Sequence, residues 1–232
     1  MVKINQSSSL RGIFMIFFIH IFSLLITSSF AQASTPDYCF TIENTTLTRF
    51  MCSREHITIP EGITHIAPEV FRNKGVQSLK LPQTLISIGE NAFMYNNIDE
   101  VIFPESLTHI SSNAFYHNNL TQLNLPTNLI FIGDYAFKQN SLKGKLTIPQ
   151  NITSIGNSAF SHNHISSLEL PHSITSIGKS AFELNELVFL DIPHNTTSIG
   201  AFAFAYNQIN QVTLPRSIHN IEEGVFIDND IK

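Results

Sequence analysis

Cysteine and histidine are the residues of this chain that could take part in redox or metal chemistry. Cys39 and Cys52 are its only cysteines among 232 residues. An even pair in an exported chain is typical of a disulfide, and a loop of this length would contribute on the order of 3 kcal/mol in the chain-entropy model. We therefore predict a Cys39–Cys52 disulfide; the alternative, a metal site, would need more ligands than two cysteines.

Two pairs of histidines have a spacing that could suit metal binding. His172 and His194 each follow a proline and are 22 residues apart, so in stacked repeats they would lie about 4.8 Å from each other. Such a pair could share a metal ion, but no third ligand occurs in phase with it, and we interpret it as solvated surface. His65 and His109 have the same phase but lie two repeats apart, about 9.6 Å, which is too far for one ion.

Known catalytic signatures are missing from the sequence. It contains no G-x-S-x-G, no H-E-x-x-H and no phosphate-binding glycine loop. We predict no catalytic residue, no metal site and no cofactor, and therefore a protein that is not an enzyme.

A repeat of 22 residues organises most of the chain and must position any functional residue. Prolines recur every 22 residues, with one spacing of 23 near Gly144, and a phenylalanine follows each proline by eleven residues. An asparagine then follows seven of these eight phenylalanines by three residues. The prolines are Pro60, Pro82, Pro104, Pro126, Pro149, Pro171, Pro193 and Pro215, and the phenylalanines are Phe71, Phe93, Phe115, Phe137, Phe160, Phe182, Phe204 and Phe226.

Each repeat predicts the same local structure. The residues before a proline alternate, as in Leu79-Lys80-Leu81, and predict a strand that proline ends. Glycine in Ile155-Gly156 and its counterparts is predicted to take a positive φ and turn the chain. The Asn-x-Ala-Phe segment that follows is predicted to form one helical turn. Because one coil cannot bury its apolar residues alone, coils must stack on each other.

The predicted fold is therefore an α/β repeat solenoid of about eight coils of 22–23 residues. It has a parallel strand face, short helical turns on the opposite side and an N-terminal disulfide cap. In this fold the repeated asparagine is predicted to be structural, because its amide can satisfy backbone groups that a tight turn leaves unpaired. A functional role would require the asparagine to face solvent.

The N-terminal segment predicts export. Lys3 and Arg11 precede the apolar run Ile13 to Ile26, and Ala31-Gln32-Ala33 suits a cleavage site. The alternative is an uncleaved membrane anchor, but the run is short for a span of roughly 20 residues. We assign 1–33 to a signal peptide, 34–56 to the cap and 57–232 to the solenoid, with a secreted, periplasmic or extracellular location and no stable membrane insertion after cleavage.

The charge balance argues against nucleic acid as a partner. The formal net charge is −5, and cleavage of the signal would leave eleven basic residues against eighteen acidic ones, a charge of −7. Phosphate binding needs a basic face, and the sequence shows none.

The repeat consensus, I-P-x-x-[IL]-x-x-I-G-x-x-A-F-x-x-N-x-[IL]-x-x-[LV]-x-[LI], resembles the BspA-like leucine-rich repeat family over residues 57–232. The asparagine form of the repeat is most similar to bacterial members. The resemblance implies an extracellular, surface or secreted recognition protein, since some members act as adhesins, and it implies no catalytic residues.

If the protein binds through its strands, the outward residues of the strands would form the contact. This row is mostly polar, with Ile102 and the pair Val188-Phe189 as apolar exceptions that would serve as anchors. The alternative is that these are singly exposed hydrophobic residues without a role. The candidate ligand face is Lys80, Ile102, Asn124, Glu169, Val188, Phe189 and Asp191.

Two functional hypotheses follow from the sequence. The first is recognition of another macromolecule, an extracellular protein or glycan, in adhesion or host interaction. The second is a structural role in which solenoid ends self-associate, or a truncated copy without independent function. Phe226 and Ile231 in the last coil are where end-to-end association is expected.

Overall fold

A computed structural model describes residues 34–218 and 221–232. The segment predicted to be a signal peptide lies outside the described residues. Thr35–Lys232 form one compact unit. It contains eight stacked coils that follow the proline register, and we number them so that coil 1 begins at Pro60 and coil 8 at Pro215.

In the described residues, six of the eight coils contain two short strands rather than one. The first type, here called proline strands, ends two or three residues before a proline. The second type, here called glycine strands, ends at the isoleucine of the Ile-Gly position or its equivalent. The proline strands are β3 (His56–Thr58), β5 (Ser78–Lys80), β7 (Glu100–Val101), β10 (Lys143–Thr147), β12 (His164–Glu169), β14 (Phe189–Asp191) and β16 (Gln211–Thr213). The glycine strands are β4 (His65–Ile66), β6 (Ser87–Ile88), β8 (His109–Ile110), β9 (Phe131–Ile132), β11 (Ser154–Ile155), β13 (Ser176–Ile177) and β15 (Ser198–Ile199).

Strands of one type pair in parallel between neighbouring coils. The glycine strands form the longer ladder, in which β4, β6, β8 and β9 follow one another and β11, β13 and β15 form a second sheet. The proline strands are divided into three shorter sheets, β3-β5-β7, β10-β12 and β14-β16. The parallel stacking predicted from the repeat is confirmed, but the strand face is interrupted.

The cap is a hairpin that continues the solenoid. A 3-10 turn, Asp37–Cys39, leads into β1 (Phe40–Glu43), which pairs antiparallel with β2 (Thr46–Phe50), and Asn44 takes a positive φ of 58° in the turn between them. Strand β2 then pairs in parallel with β4. The predicted Cys39–Cys52 disulfide is present and links the two ends of this hairpin.

The predicted helical turns are wrong. In the part of the chain that the structure describes, the 3-10 turn of the cap is the single helical element. In coil 2, the N–H of Ala92 donates to the carbonyl of Gly89 three residues earlier, whereas the N–H of Asn91 donates to Ser112 of the next coil. Asn91 has a positive φ of 57°, which places its N–H towards the next coil and breaks the bonding pattern that a helix requires.

The predicted role of the repeated glycine is also wrong. Gly156 and its counterparts do not have a positive φ. A Cβ on Gly156 would lie 2.6 Å from the carbonyl carbon of Gly133 in the preceding coil. Glycine is needed here because the backbones of stacked coils approach closely, while the turn itself is made by non-glycine residues at positive φ.

The core is a column of aromatic rings. Seven phenylalanines, from Phe71 to Phe204, are fully buried, and adjacent rings stack at centroid distances of 5.0 to 5.6 Å. Phe50 of the cap packs on Phe71 at 5.0 Å and so continues the column at its N-terminal end. Each coil therefore buries its phenylalanine only against its neighbours, as expected for a repeat fold.

The asparagines form a second column, and their structural role is confirmed. The amide nitrogen of Asn96 donates to the carbonyls of Phe71 and Phe93, at 2.8 and 2.9 Å. Its Oδ1 accepts the N–H of Val76 at 2.9 Å. Because the side chain bonds to two consecutive coils and is buried, it satisfies backbone groups between them.

Candidate binding face

The outward side chains of the proline strands form a surface that we call the strand face. The predicted residues Lys80, Asn124, Glu169 and Asp191 are all exposed on it. Neighbouring strands are in register, so Ser78 lies beside Glu100 and Phe189 beside Gln211. Equivalent outward residues of successive coils therefore form a row that runs along the solenoid.

Large apolar side chains are exposed at two places on this face. Ile102 is 74% exposed, one coil away from Lys80. Val188 and Phe189 are 42% and 50% exposed at the start of β14. Their neighbours in the ladders are polar, so each apolar group stands alone in a polar row. Such groups resemble the anchors of interaction surfaces.

Glu169 is already paired and is therefore a weaker candidate for a contact. Its Oε2 accepts hydrogen bonds from Lys145 Nζ at 2.7 Å and from Thr147 Oγ1 at 3.1 Å. These hydrogen bonds, that of Lys145 first, hold the pKa of Glu169 below its ordinary value. Glu169 therefore has a cationic partner on its own face, Lys145.

The strand face is interrupted at coil 3. Residues 121–125 occupy the position of a proline strand but form no strand. Within the described residues, the N–H groups of Gln122, Leu123, Asn124 and Leu125 donate to no protein acceptor. The N–H of Phe103 in coil 2 likewise donates to no acceptor in the described structure. The same holds for Leu81 and Leu170 in the same slot, whereas Ile59 donates to Lys80 of the next coil.

Two grooves flank this interrupted segment. The larger, about 470 Å³, lies between residues 99–105 of coils 2 and 3 and residues 121–126. The smaller, about 330 Å³, lies on the other side, against residues 145–150. Asp99, Glu100 and Glu105 line the larger groove, and no basic residue does. Phe103 and Leu125 line it as well, and Ile102 is exposed there.

Two local sequence features explain the interruption. Phe103 stands where most coils have leucine or isoleucine, and its ring lies edge-on to Phe115 at 5.5 Å and to Phe137 at 6.3 Å. On the other side, the extra residue of the 23-residue spacing forms a bulge at Gly144, which has a φ of 76°. We infer that the larger ring and the bulge keep residues 121–125 from forming a strand with either neighbouring coil, although the glycine strand of coil 3, β8, pairs with both β6 and β9. The 23-residue spacing is visible in the sequence, but neither this spacing nor the type of residue 103 predicts the grooves.

A second exposed aromatic group lies outside the strand face and was not predicted. The ring of Tyr95 lies 5.4 Å from that of Tyr116 and 5.3 Å from that of His117. Burial and, next, the neighbouring Tyr95 raise the pKa of the Tyr116 hydroxyl. These residues follow the phenylalanines of coils 2 and 3 directly, and periodicity alone does not distinguish them from other variable positions.

The histidines have the geometry expected from the repeat. The rings of His172 and His194 are 5.5 Å apart. Across residues 34–218 and 221–232, no group of three or more His, Cys, Asp or Glu side chains is placed to hold a metal ion. His65 and His109 are separated by Ser87, which lies between them in the ladder of glycine strands.

Stacked coils with buried phenylalanine and asparagine columns define the protein as a leucine-rich repeat solenoid. The chain matches the BspA type leucine rich repeat region over residues 41–145 and 108–232, in six copies, and belongs to this family. Among curated proteins, none matches the chain significantly.

Solved bacterial structures share the fold. A leucine rich cell surface protein from Faecalibacterium prausnitzii A2-165 is 25% identical with a TM-score of 0.64, over 77% of this chain and 54% of that one. The leucine rich repeat protein of T. pallidum is 20% identical with a TM-score of 0.57, over 77% and 86%. A leucine-rich repeat protein from Bacteroides ovatus ATCC 8483 is 23% identical with a TM-score of 0.53, over 79% and 57%.

The chain thus spans about half the length of the Faecalibacterium prausnitzii protein. In the described part of the chain, no helix has the length and apolar character needed to cross a membrane.

Proposed function

We propose that this protein is exported and recognises a partner protein through its strand face. The observation that carries the proposal is the exposure of Ile102 and Phe189, at 74% and 50%, on an otherwise polar face held rigid by the stacked coils. Repeat solenoids commonly bind their partners across such extended surfaces. The similar Faecalibacterium prausnitzii protein is described as a cell surface protein, which supports an extracellular partner and a role in adhesion.

The binding test uses the purified protein and an array of extracellular-matrix proteins and glycans. We expect selective binding to a protein, and we expect Phe189→Ala to weaken it at least tenfold, as for an anchor residue. Thr213→Ala, on the same face, is the matched control and should leave binding unchanged. Equal binding by the wild-type protein and Phe189→Ala, with equal melting temperatures, would contradict recognition through this part of the face; binding to glycans alone would contradict a protein partner.

Export has its own test. The full chain should be expressed in a bacterial host, and the protein outside the cytoplasm should be sequenced from its N-terminus. Cleavage after Ala33 gives Ser34 as the first residue. A protein that keeps Met1 and stays in the cytoplasm would show that the apolar segment is not an export signal.

Assembly is the second candidate, supported by the last coil. Ile221, Ile227 and Ile231 are exposed there, at 49%, 45% and 42%, and Phe226, which stacks on Phe204 at 5.9 Å, is half-buried. Light scattering after size exclusion distinguishes the two functions. Assembly predicts a dimer or larger species that Ile227→Asp converts to monomer, whereas a monomer at micromolar concentration would refute it.

A further inference from the structure

The larger groove beside coil 3 has the features of a site for an extended peptide. It is bounded by backbone whose N–H groups, from Gln122 to Leu125 and at Phe103, lack partners in the described structure. Backbone groups of this kind normally pair with another strand. An extended peptide supplies donors and acceptors along its length and can occupy such an edge by strand addition.

The negative charge of the groove favours a basic peptide. Asp99, Glu100 and Glu105 are exposed along it, and no basic side chain lines it. Glu105 is held in place because its Oε2 accepts hydrogen bonds from the N–H and the hydroxyl of Thr127, at 3.0 and 2.7 Å. Lys145, in the next proline strand, is engaged by Glu169 at 2.7 Å. The groove therefore favours cationic side chains.

The apolar part of the groove fits the alternation of an extended peptide. Ile102 is exposed in the groove, and Phe103 and Leu125 line the groove. Successive side chains of a strand point to opposite sides, so a peptide can direct one set towards the carboxylates and the other towards these apolar groups. The lining segment 99–103 would be about 17 Å long when extended, which accommodates roughly five or six peptide residues.

We propose that this groove binds an extended, basic segment of a partner protein by strand addition along residues 121–125. The proposal deepens the function proposed above and rests on it, since it names the part of the strand face used and the chemistry of the segment recognised. The groove is separate from Phe189, so the two can be tested independently.

The first experiment uses a fluorescein-labelled nine-residue peptide of alternating lysine and valine as the probe. Fluorescence anisotropy with the purified protein should show saturable binding that weakens as salt is raised. The double variant Asp99→Asn/Glu100→Gln should bind at least tenfold more weakly. Asp191→Asn, at an exposed carboxylate on the same face but outside the larger groove, should stay within twofold of the wild type. A peptide of alternating glutamate and valine should not bind.

The second experiment locates the peptide. The amides of residues 122–125 should exchange rapidly with solvent in the free protein, and alternate amides of this segment should become protected when the lysine–valine peptide is bound, as judged by NMR hydrogen exchange. Phe103→Leu, which gives the slot the side chain found in neighbouring coils, should protect these amides without peptide and weaken binding.

Three results would overturn the proposal: no binding of the lysine–valine peptide, binding that the double variant does not weaken, or protection that appears away from residues 122–125.

Other results would contradict the proposed function but not the groove, or the groove but not the proposed function. If no matrix protein binds but the peptide protects residues 122–125, the groove is a peptide site without the expected extracellular partner. If a matrix protein binds through Phe189 and the peptide does not bind at all, recognition stands and the groove proposal is lost.

Discussion

Removing one amide of the asparagine column should cost several hydrogen bonds at once. Asn163 is buried, and its Oδ1 accepts the N–H of Leu142 at 3.1 Å. Its amide nitrogen donates to the carbonyls of Phe137 and Phe160, at 3.0 and 3.1 Å. A longer contact of 3.3 Å to the carbonyl of Ser161, which also accepts the N–H of Gln139, adds little. We predict that Asn163→Ala destabilises the protein although it removes no apolar side chain from the core.

The structure allows the cost to be worked out bond by bond. The carbonyls of Phe137 and Phe160 keep a second donor, from Asn140 and Asn185 respectively, so losing Asn163 costs about 0.5 kcal/mol at each. The N–H of Leu142 has no other acceptor, and an orphaned buried donor costs about 1–3 kcal/mol. The free energy of unfolding should fall by about 2–4 kcal/mol, and the melting temperature by roughly 4–16 °C.

The aspartate variant separates the acceptor from the donor. In Asn163→Asp, one oxygen still accepts the N–H of Leu142, but the other faces the carbonyls of Phe137 and Phe160 and can bond to them only when protonated. The folded state therefore raises the pKa of this carboxyl above that of the unfolded chain. Because the folded state then binds the proton more tightly, the variant should be most stable below about pH 4 and lose stability as the pH rises through the folded pKa.

The assay is thermal unfolding followed by circular dichroism between pH 3 and pH 8. Asn119→Ala is the control, since Asn119 is exposed and its side chain has no hydrogen bond in the described structure; it should melt within about 2 °C of the wild type. Equal melting temperatures for Asn163→Ala and Asn119→Ala would refute the structural role of the column. A variant Asn163→Asp with the same pH dependence as the wild type would refute the donor argument.

Three further predictions concern the core, the stacking distance and the cap. Phe160→Ala, at a fully buried ring stacked between two others, should cost about 3–5 kcal/mol in urea unfolding, against less than about 1 kcal/mol for the half-exposed Phe189→Ala. Gly156→Ala should cost about 1–3 kcal/mol by the same measurement, because its Cβ would meet the preceding coil; an unchanged midpoint would contradict the close approach. Reducing Cys39–Cys52, which closes a loop of 13 residues, should cost about 3 kcal/mol, seen as a lower melting temperature in reductant.

Most of the fold could be predicted because the same pattern of residue types occurs eight times in the sequence. The positions of Phe160 and Asn163 and the disulfide between Cys39 and Cys52 follow from spacing and residue type, and the structure confirms them. The helical turn could not be excluded from the sequence, since a short apolar segment after a glycine fits a helix as well as a turn. The outcome depends on whether an N–H bonds within its own coil or to the next one.

The candidate site was less predictable. The sequence identified Ile102 and Phe189 as outward residues, and both are exposed. It did not reveal the groove, because Phe103 and the extra residue at Gly144 act through distances between coils rather than through their own properties.

The sequence by itself determined the period, the register and the side chains that each coil buries, because these follow from residue type at fixed spacing. Only the tertiary structure decided where neighbouring coils pair and where they do not. Pairing depends on the separation of two backbones, and we attribute its loss along residues 121–125 to the bulk of Phe103 and the bulge at Gly144.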